Sequence, residues 1–317
     1  MNIIEQIRKR AKNQAKTIVL PRSSDIRVVR AAEFLNEHSL CKVILLKNEG
    51  EHSIPGNLEL IDPGTDSRRQ AYAELLYQRR KHKGITIESA LEIMLNPLFF
   101  AAAMVSAGDA DGCVAGSIST TGDVLRAAIQ TIGLQPGSNV VSSIFLMSFE
   151  DGRVYTYGDC AVVPYPNAEQ LASIAMDSAK THKAITGEES RVAMLSFSTR
   201  GSADHERVTL VKDALEIIKN HNLDFTVDGE LQFDAAIVED IARRKAPQSE
   251  VAGKANVFIF PNLDAGNIAY KITERLAGAA ATGPIIQGLA KPMMDLSRGC
   301  SWEDIVNTAC VCSLMAE

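Results

Sequence analysis

Near its C-terminal end the chain carries Asp295-Leu296-Ser297-Arg298-Gly299-Cys300, followed at once by Ser301-Trp302-Glu303-Asp304-Ile305-Val306. A hydroxyl, a guanidinium and carboxylates therefore sit in a loop that enters an apolar helix. That trio suits acyl transfer. A carboxylate can take a proton from a nucleophile, and an arginine with a hydroxyl can stabilise charge on a carbonyl oxygen. The same spacing has a second reading. Ser301-x-x-Asp304 ahead of Ile305-Val306 is a capping-box pattern, which by itself accounts for both residues. A helix N-terminus also makes a carboxylate a weaker base, so the advantage of Asp304 as a base would be positional.

Four further stretches run from an apolar strand pattern into a small, polar, glycine-containing loop and then a helix. They are Val114–Asp123, Leu195–Ala203, Phe260–Asn267 and Gln287–Pro292. Glycine lets a backbone approach a ligand, Ser and Thr add hydroxyls, and a following helix offers free N–H groups and a positive dipole end. Together these bind phosphate oxygens, although ordinary helix capping uses the same residues. None is a G-x-x-x-x-G-K-[ST] loop or a G-x-G-x-x-G fingerprint, which disfavours nucleotide hydrolysis and ordinary dinucleotide binding. Cations are available nearby. Arg126 lies one turn into the helix after the first loop, where it can turn back to a phosphate or pair with Asp123 at i,i+3. The run Arg79-Arg80-Lys81-His82-Lys83-Gly84 is either a further anion contact or a solvated helix end.

The elements that must position these residues alternate. Strand patterns fall at Thr17–Leu20, Lys42–Leu46, Gly112–Ala115, Val140–Met147, Val154–Tyr157, Val192–Phe197, Val257–Phe260 and Pro284–Gln287. Helical spacing marks Arg27–Glu37, Asp66–Lys81, Ile87–Leu95, Asp204–Asn220 and Asn267–Ala277; in Asp204–Asn220 it is carried by Val208, Val211, Leu215 and Ile218. This predicts an α/β protein with mostly parallel sheets covered by helices. Ser148–Arg153, with Asp151-Gly152 between two strand patterns, reads as a hairpin and places a change of domain near residue 145.

At 317 residues with 46% hydrophobic and 23% charged content, the chain can bury one large core or two smaller ones. A formal charge of −6 disfavours general attraction to nucleic acid or anionic membrane, so any anion site has to be local. No apolar run approaches a membrane span, and the charged, amphipathic Met1-Asn2-Ile3-Ile4-Glu5 reads as a surface helix of a cytoplasmic protein rather than a signal core. The six cysteines form no C-x-x-C pair and several lie in apolar runs, which fits a reducing compartment. No Cys/His set has metal-ligand spacing, so no metal is expected.

In order along the chain, the motifs resemble the phosphate acetyl/butyryl transferases, nearly end to end. They are Arg80–Gly84, Gly116–Asp123 with Arg126, Tyr157–Val162, Ser196–Ala203, Asp228–Ala236, Ala265-Gly266-Asn267 and Asp295–Cys300. The resemblance implies two α/β domains with a cleft between them, isocitrate/isopropylmalate dehydrogenase-like, with the active site in that cleft. Residues 1–145 with 295–317 would form the first domain and 146–294 the inserted, dimer-forming second. It implies reversible acetyl transfer between acetyl-CoA and inorganic phosphate, giving acetyl phosphate and coenzyme A by direct thiolate attack, in a homodimer with no bound cofactor.

Carried over by motif, Asp304 would deprotonate the coenzyme A thiol, Arg298 would stabilise developing charge and Ser297 would contact the carbonyl region. Arg80 and Arg126 would hold anionic parts of the substrates. Ser117, Thr120, Thr121, Thr199, Gly201, Ser202, Gly266 and Asn267 would line the substrate site. Cys160 and Cys300 fall inside motifs but read as packing residues. The chain departs from the family pattern at Val163, Met293-Met294 and Arg200, which bears on acyl-chain preference. Rival readings are a butyryl- or propionyltransferase, a dehydrogenase on the same fold, and a non-catalytic coenzyme A or acyl-phosphate binding protein.

Overall fold

Asn2 starts the first helix by accepting a hydrogen bond from Ile4 N, and Ile3, Ile7 and Ala11, four residues apart, form its buried face. Met1, part of the expected surface helix, lies outside the described residues: the computed structural model describes residues 2–48 and 54–316. The chain begins α1 (Ile3–Gln14), β1 (Thr17–Leu20), α2 (Ile26–Glu37), β2 (Lys42–Leu46), β3 (Glu59–Ile61), α3 (Arg69–Arg80), α4 (Ile87–Ile93), α5 (Pro97–Ala107), β4 (Gly112–Ala115) and α6 (Thr121–Thr131). It continues β5 (Ser142–Ser148), β6 (Val154–Gly158), α7 (Ala168–Thr186), β7 (Arg191–Leu195), α8 (Glu206–Lys219), β8 (Thr226–Leu231), α9 (Phe233–Ile237), α10 (Glu239–Lys245), β9 (Val257–Ile259), α11 (Leu263–Ala277) and β10 (Ala280–Gln287). It closes with β11 (Met293–Asp295) and α12 (Trp302–Met315).

Contacts divide these elements into a discontinuous first unit, Met1–Gln135 with Leu289–Glu317, and a second unit, Pro136–Gly288. The boundaries differ from those expected at 145 and 294. Residue 145 falls inside β5 and residue 294 inside β11, and a strand cannot be divided without breaking its ladder. The 148–153 turn is the expected hairpin, with Phe149 N bonded to Arg153 O at 2.9 Å, but it lies within the second unit.

The first unit holds a five-stranded sheet in the order β11-β4-β1-β2-β3, every pair parallel. β4 is buried at all four residues, as expected of a strand covered on both faces. Gly112 in it is required by packing, because a Cβ there would overlap the Cys312 sulfur on α12. From β1 the chain moves outward through β2 and β3, and then returns to the opposite side of β1 to lay down β4. The order therefore reverses between β1 and β4, and in open α/β sheets ligands bind beyond the strand C-termini at such a reversal.

The second unit holds a six-stranded sheet, β10-β5-β6-β9-β7-β8. Pairs β10/β5 and β5/β6 are antiparallel and the rest parallel. Val208, Val211, Leu215 and Ile218 are the buried face of α8, as their spacing predicts.

Three strands have no counterpart in the sequence reading: β3, β8 and β11. Gln287–Pro292 was expected to lead into a helix and leads into β11 instead. Lys291 there donates from Nζ to the carbonyls of Val105 and Ser106 (2.9 and 3.4 Å), satisfying the C-terminus of α5. Among the described residues no single helix is long and apolar enough to cross a membrane. The bent pair α4 and α5 passes on length and composition together, and α5 is largely buried.

Candidate active site

In the first unit, the loops carrying the expected chemistry leave the C-terminal ends of adjacent parallel strands. Gly116–Thr120 follows β4 and Leu296–Ser301 follows β11. Gly116 makes their close approach possible. Its φ of +100° suits glycine, and a Cβ would run into Asp295 Oδ1 and the Leu296 backbone. Two side-chain contacts then join the loops. Thr121 Oγ1 donates to Asp295 Oδ2 at 2.6 Å. Arg27, in the first turn of α2, donates to the carbonyls of Ser117 (2.9 Å), Arg298 (2.9 Å) and Cys300 (2.7 Å). Asp25 holds Arg27 in turn through Nε at 3.1 Å and Nη2 at 2.9 Å. Burial pushes the Asp25 carboxyl upward, but hydrogen bonds from Arg27 and Ser117 outweigh it and hold it below the usual range.

Above this base the rim is exposed. Ser297, Arg298, Thr120, Thr121 and Asp304 all face solvent. The Arg298 guanidinium has no hydrogen-bond or ion-pair partner among the described residues, and its backbone alone is tied down. Among the described residues, Ser297 Oγ accepts only a long bond from Gly299 N, 3.3 Å. A hydroxyl and an unpaired cation are thus presented on a loop fixed from beneath. Asp304 is in the capping box that its spacing allows. Its N–H donates to Ser301 Oγ at 3.1 Å, and its Oδ2 accepts from Ser301 N at 2.8 Å. This leaves Oδ1 without a hydrogen bond among the described residues. Thr120 caps α6 through its side chain alone, accepting from Asp123 N at 3.2 Å.

Asp295 is the outlier. It is 2% exposed, and Oδ1 has no hydrogen-bond partner among the described residues. Burial pushes its carboxyl up to about 6, with the Thr121 hydroxyl opposing. Cys300 is buried beside Arg27; burial raises its thiol and Arg27 only partly offsets this. Cys160, in the second unit, is raised well above the usual thiol range by burial. Neither sulfur is poised as a thiolate nucleophile.

Of the expected anion-holding residues, Arg126 takes the alternative that its spacing offered, an ion pair with Asp123 (2.9 Å). Arg80 ends α3, half-buried and without a partner among the described residues, while Arg79 beside it donates to the Ile132 carbonyl at 2.9 Å. Among the described residues no group of three or more His, Cys, Asp or Glu side chains could hold a metal ion.

In the second unit, Thr199, Gly201 and Ser202 lie in the loop after β7. Buried Glu230 shapes that loop, accepting from Gly201 N (2.6 Å) and Ser198 Oγ (2.8 Å). Thr199 is 5% exposed and its Oγ1 accepts from Gln232 N at 2.9 Å, whereas Gly201 and Ser202 are exposed. Gly266 and Asn267 serve packing. A Cβ at Gly266 would overlap the Asp159 carbonyl, and Asn267 Nδ2 donates to the Cys160 carbonyl at 3.0 Å.

Nothing in the local sequence marks Asp25, Arg27 or the buried Asp295 as site residues. Asp295 opens the C-terminal motif, so its position was in view, but its burial follows only from the pairing of β11 with β4. Asp25 and Arg27 lie some 270 residues from the loop that Arg27 fastens, and no local spacing reports that contact.

A family model described as Phosphate acetyl/butaryl transferase matches residues 2–313. The phosphate acetyltransferase of Thermoanaerobacterium thermosaccharolyticum is 47% identical to this chain over the full length of both. Among solved structures, the EutD phosphotransacetylase from Staphylococcus aureus superposes with a TM-score of 0.92 at 40% identity, covering 99% of this chain and 98% of that one. At the level of fold alone, 4-hydroxythreonine-4-phosphate dehydrogenase from Klebsiella pneumoniae matches with a TM-score of 0.53 at 10% identity, over 95% of this chain and all of that one.

Proposed function

The chain belongs to the phosphate acetyl/butaryl transferase family, and from that premise we propose that it is a phosphate acetyltransferase, moving acetyl reversibly between coenzyme A and inorganic phosphate. The observation that carries this reading is the fastening of the Ser117–Thr121 and Ser297–Cys300 loops by Thr121–Asp295 and by Arg27, which leaves Ser297, Arg298 and Asp304 exposed above a fixed base.

In the direction that consumes acetyl phosphate, Asp304 Oδ1 accepts the thiol proton of coenzyme A. The sulfur attacks the acetyl carbonyl carbon, the carbonyl oxygen takes the negative charge, and the carbon–oxygen bond to phosphate breaks to release phosphate. A thiol of pKa about 8.5 is only a few per cent ionised at neutral pH, so a placed carboxylate accelerates attack even at its ordinary basicity. Arg298 meets the developing charge and Ser297 donates to the same oxygen. Arg80 and Arg126 meet substrate anions, Arg126 by exchanging its exposed bond to Asp123 for one to phosphate. Ser117, Thr120 and Thr121 border the reacting groups. The substrates are acetyl-CoA, coenzyme A, phosphate and acetyl phosphate, with no bound cofactor. Six free, buried cysteines suit a reducing cytoplasm.

The protein acts as a homodimer formed through the second unit. Ile268, Ile272 and Leu276 recur every four residues on α11 and are 57%, 52% and 84% exposed, beside the sheet-edge strand β10. The deciding experiment is thiol release from acetyl-CoA dependent on inorganic phosphate, with propionyl- and butyryl-CoA in parallel. Turnover fastest with acetyl-CoA is expected. Preference for a longer acyl group would move the assignment to the butyryl branch, and binding without release would leave a non-catalytic module.

A further inference from the structure

Arg22 lies two residues beyond the end of β1, and its half-buried guanidinium has an unusual set of partners. Nε and Nη2 both donate to a single neutral atom, Ser119 Oγ, at 3.3 and 3.1 Å. Among the described residues no carboxylate bonds to it. Asp123 acts on it only through its charge, at a distance; its own oxygens bond Thr120 Oγ1 (2.7 Å) and Arg126 (2.9 Å). Nearby arginines differ: Arg27 is held by Asp25 and three carbonyls, and Arg126 by Asp123.

A guanidinium drawn out of water without a counter-ion is costly, and an anion supplied from outside would relieve that cost. Burial pulls the Arg22 cation toward release of its proton and Asp123 only partly opposes this, the expected direction for a cation lacking its anion. The location is equally specific. Arg22 leaves the C-terminus of β1 and Ser119 leaves that of β4, the two neighbours between which strand order reverses. Their hydrogen bond therefore spans the crevice where α/β sheets of this kind hold ligands. Ser119 is 7% exposed, so the bond fixes the guanidinium against a rigid support.

We propose that Arg22, oriented by Ser119, is a phosphate-binding residue of this site, its Nη1 edge taking an oxygen of a phosphate dianion in the β1/β4 crevice. The choice of ligand rests on the acetyl-transfer reading. That chemistry offers phosphate from two sources, inorganic or acetyl phosphate on one side and the phosphates of coenzyme A on the other. Titration calorimetry with inorganic phosphate and, separately, with coenzyme A tests the proposal without requiring turnover.

Arg22→Gln is expected to weaken one of the two by about tenfold or more, a magnitude ordinary for a charge-assisted contact. Arg22→Lys is expected to recover part of the loss, and Ser119→Ala to fall between wild type and Arg22→Gln, with melting temperatures close to wild type. The ligand that loses affinity identifies the phosphate source. In steady state the KM for that ligand rises more than kcat falls. Unchanged affinity for both ligands in Arg22→Gln, or in Arg22→Ala should the glutamine variant not fold, overturns the proposal. Loss of phosphate or coenzyme A affinity in a protein whose wild type releases no thiol would instead sink the acetyltransferase reading and leave Arg22 as an anion ligand.

Discussion

Asp304 poses the sharpest question at the scale of single residues, because one carboxylate is placed to do two jobs. Its Oδ2 closes the capping box with Ser301, and its Oδ1 faces solvent. The two roles separate by substitution. Asp304→Asn keeps an oxygen for the cap and loses the base, so turnover is expected to fall by orders of magnitude with little change in melting temperature or coenzyme A affinity. Ser301→Ala removes the hydroxyl that accepts from Asp304 N and keeps the base. It is expected to cost about 1 kcal/mol of stability while turnover changes far less. Unfolding curves and kcat on both variants check the pair; activity falling in step with stability in both would leave only the cap.

Asp295 gives a second prediction at this scale, and it concerns pH. Its folded-state value near 6 lies above that of an exposed carboxyl. Its contribution to stability is therefore fully present below about pH 4 and is lost as pH rises through about 6. Asp295→Asn is neutral throughout, so its stability relative to wild type should improve on the order of 3 kcal/mol from pH 4 to pH 7. Denaturant unfolding at several pH values measures this, and a difference constant with pH would mean that Asp295 titrates as it would in water. Ser297, Arg298 and Asp304 were legible because their types and spacing lie in one short run. Arg27 and the burial of Asp295 were not, since both depend on strand pairing distant in sequence.

At the scale of elements, what hid from the sequence was polarity inside buried structure. The 19-residue α7 shows no clean apolar stripe because its buried face includes Asp177, Ser178 and His182. Each is hydrogen-bonded within the second unit: Asp177 to Ser138 (2.7 Å), Ser178 to Gln287 (3.0 Å) and His182 to Thr156 (2.9 Å). β8 is masked likewise by Asp228 and Glu230, which face the 198–202 loop rather than a core. α5 fails for the opposite reason, being apolar nearly all round, so that it has no periodic face to detect. β11 is only three residues long.

The joint between β4 and β11 yields the prediction that belongs here. Gly116→Ala forces a Cβ into Asp295 Oδ1 and the Leu296 backbone at a positive φ. It should cost at least about 2 kcal/mol and abolish turnover, by prying apart the loops that hold Thr121 and Ser297. Gly122→Ala is the control, since a Cβ there meets only the Thr120 hydroxyl at 3.8 Å. Comparable losses of stability in the two variants would show that the joint is not what Gly116 protects.

For the molecule as a whole, composition and alternation were enough to read the α/β class, while the discontinuous division could not be read from them: the segment after Leu289 returns to the first sheet only because β11 pairs with β4. Assembly is the remaining question at this scale. A row of isoleucine and leucine at positions 268, 272 and 276 exposes more than half of each side chain, and α11 buries only Gly266 outright. β10 alongside is an edge strand whose Ala280–Gly283 segment is exposed or half-buried, and an unprotected edge with an apolar helix face invites a partner. A stable interface needs about 800 Å² from each protomer, so the row at 268–276 would be the centre of a patch that β10 extends. Ile272→Asp with Leu276→Asp places two carboxylates at that centre, and a symmetric dimer brings the same patch of both protomers together, so four carboxylates crowd one interface. Sedimentation velocity is expected to show a dimer for wild type and a monomer for the double variant at micromolar concentration. Retention of the dimer by the double variant would place the interface elsewhere, whereas a monomeric wild type would leave the exposed row without a second copy to cover it.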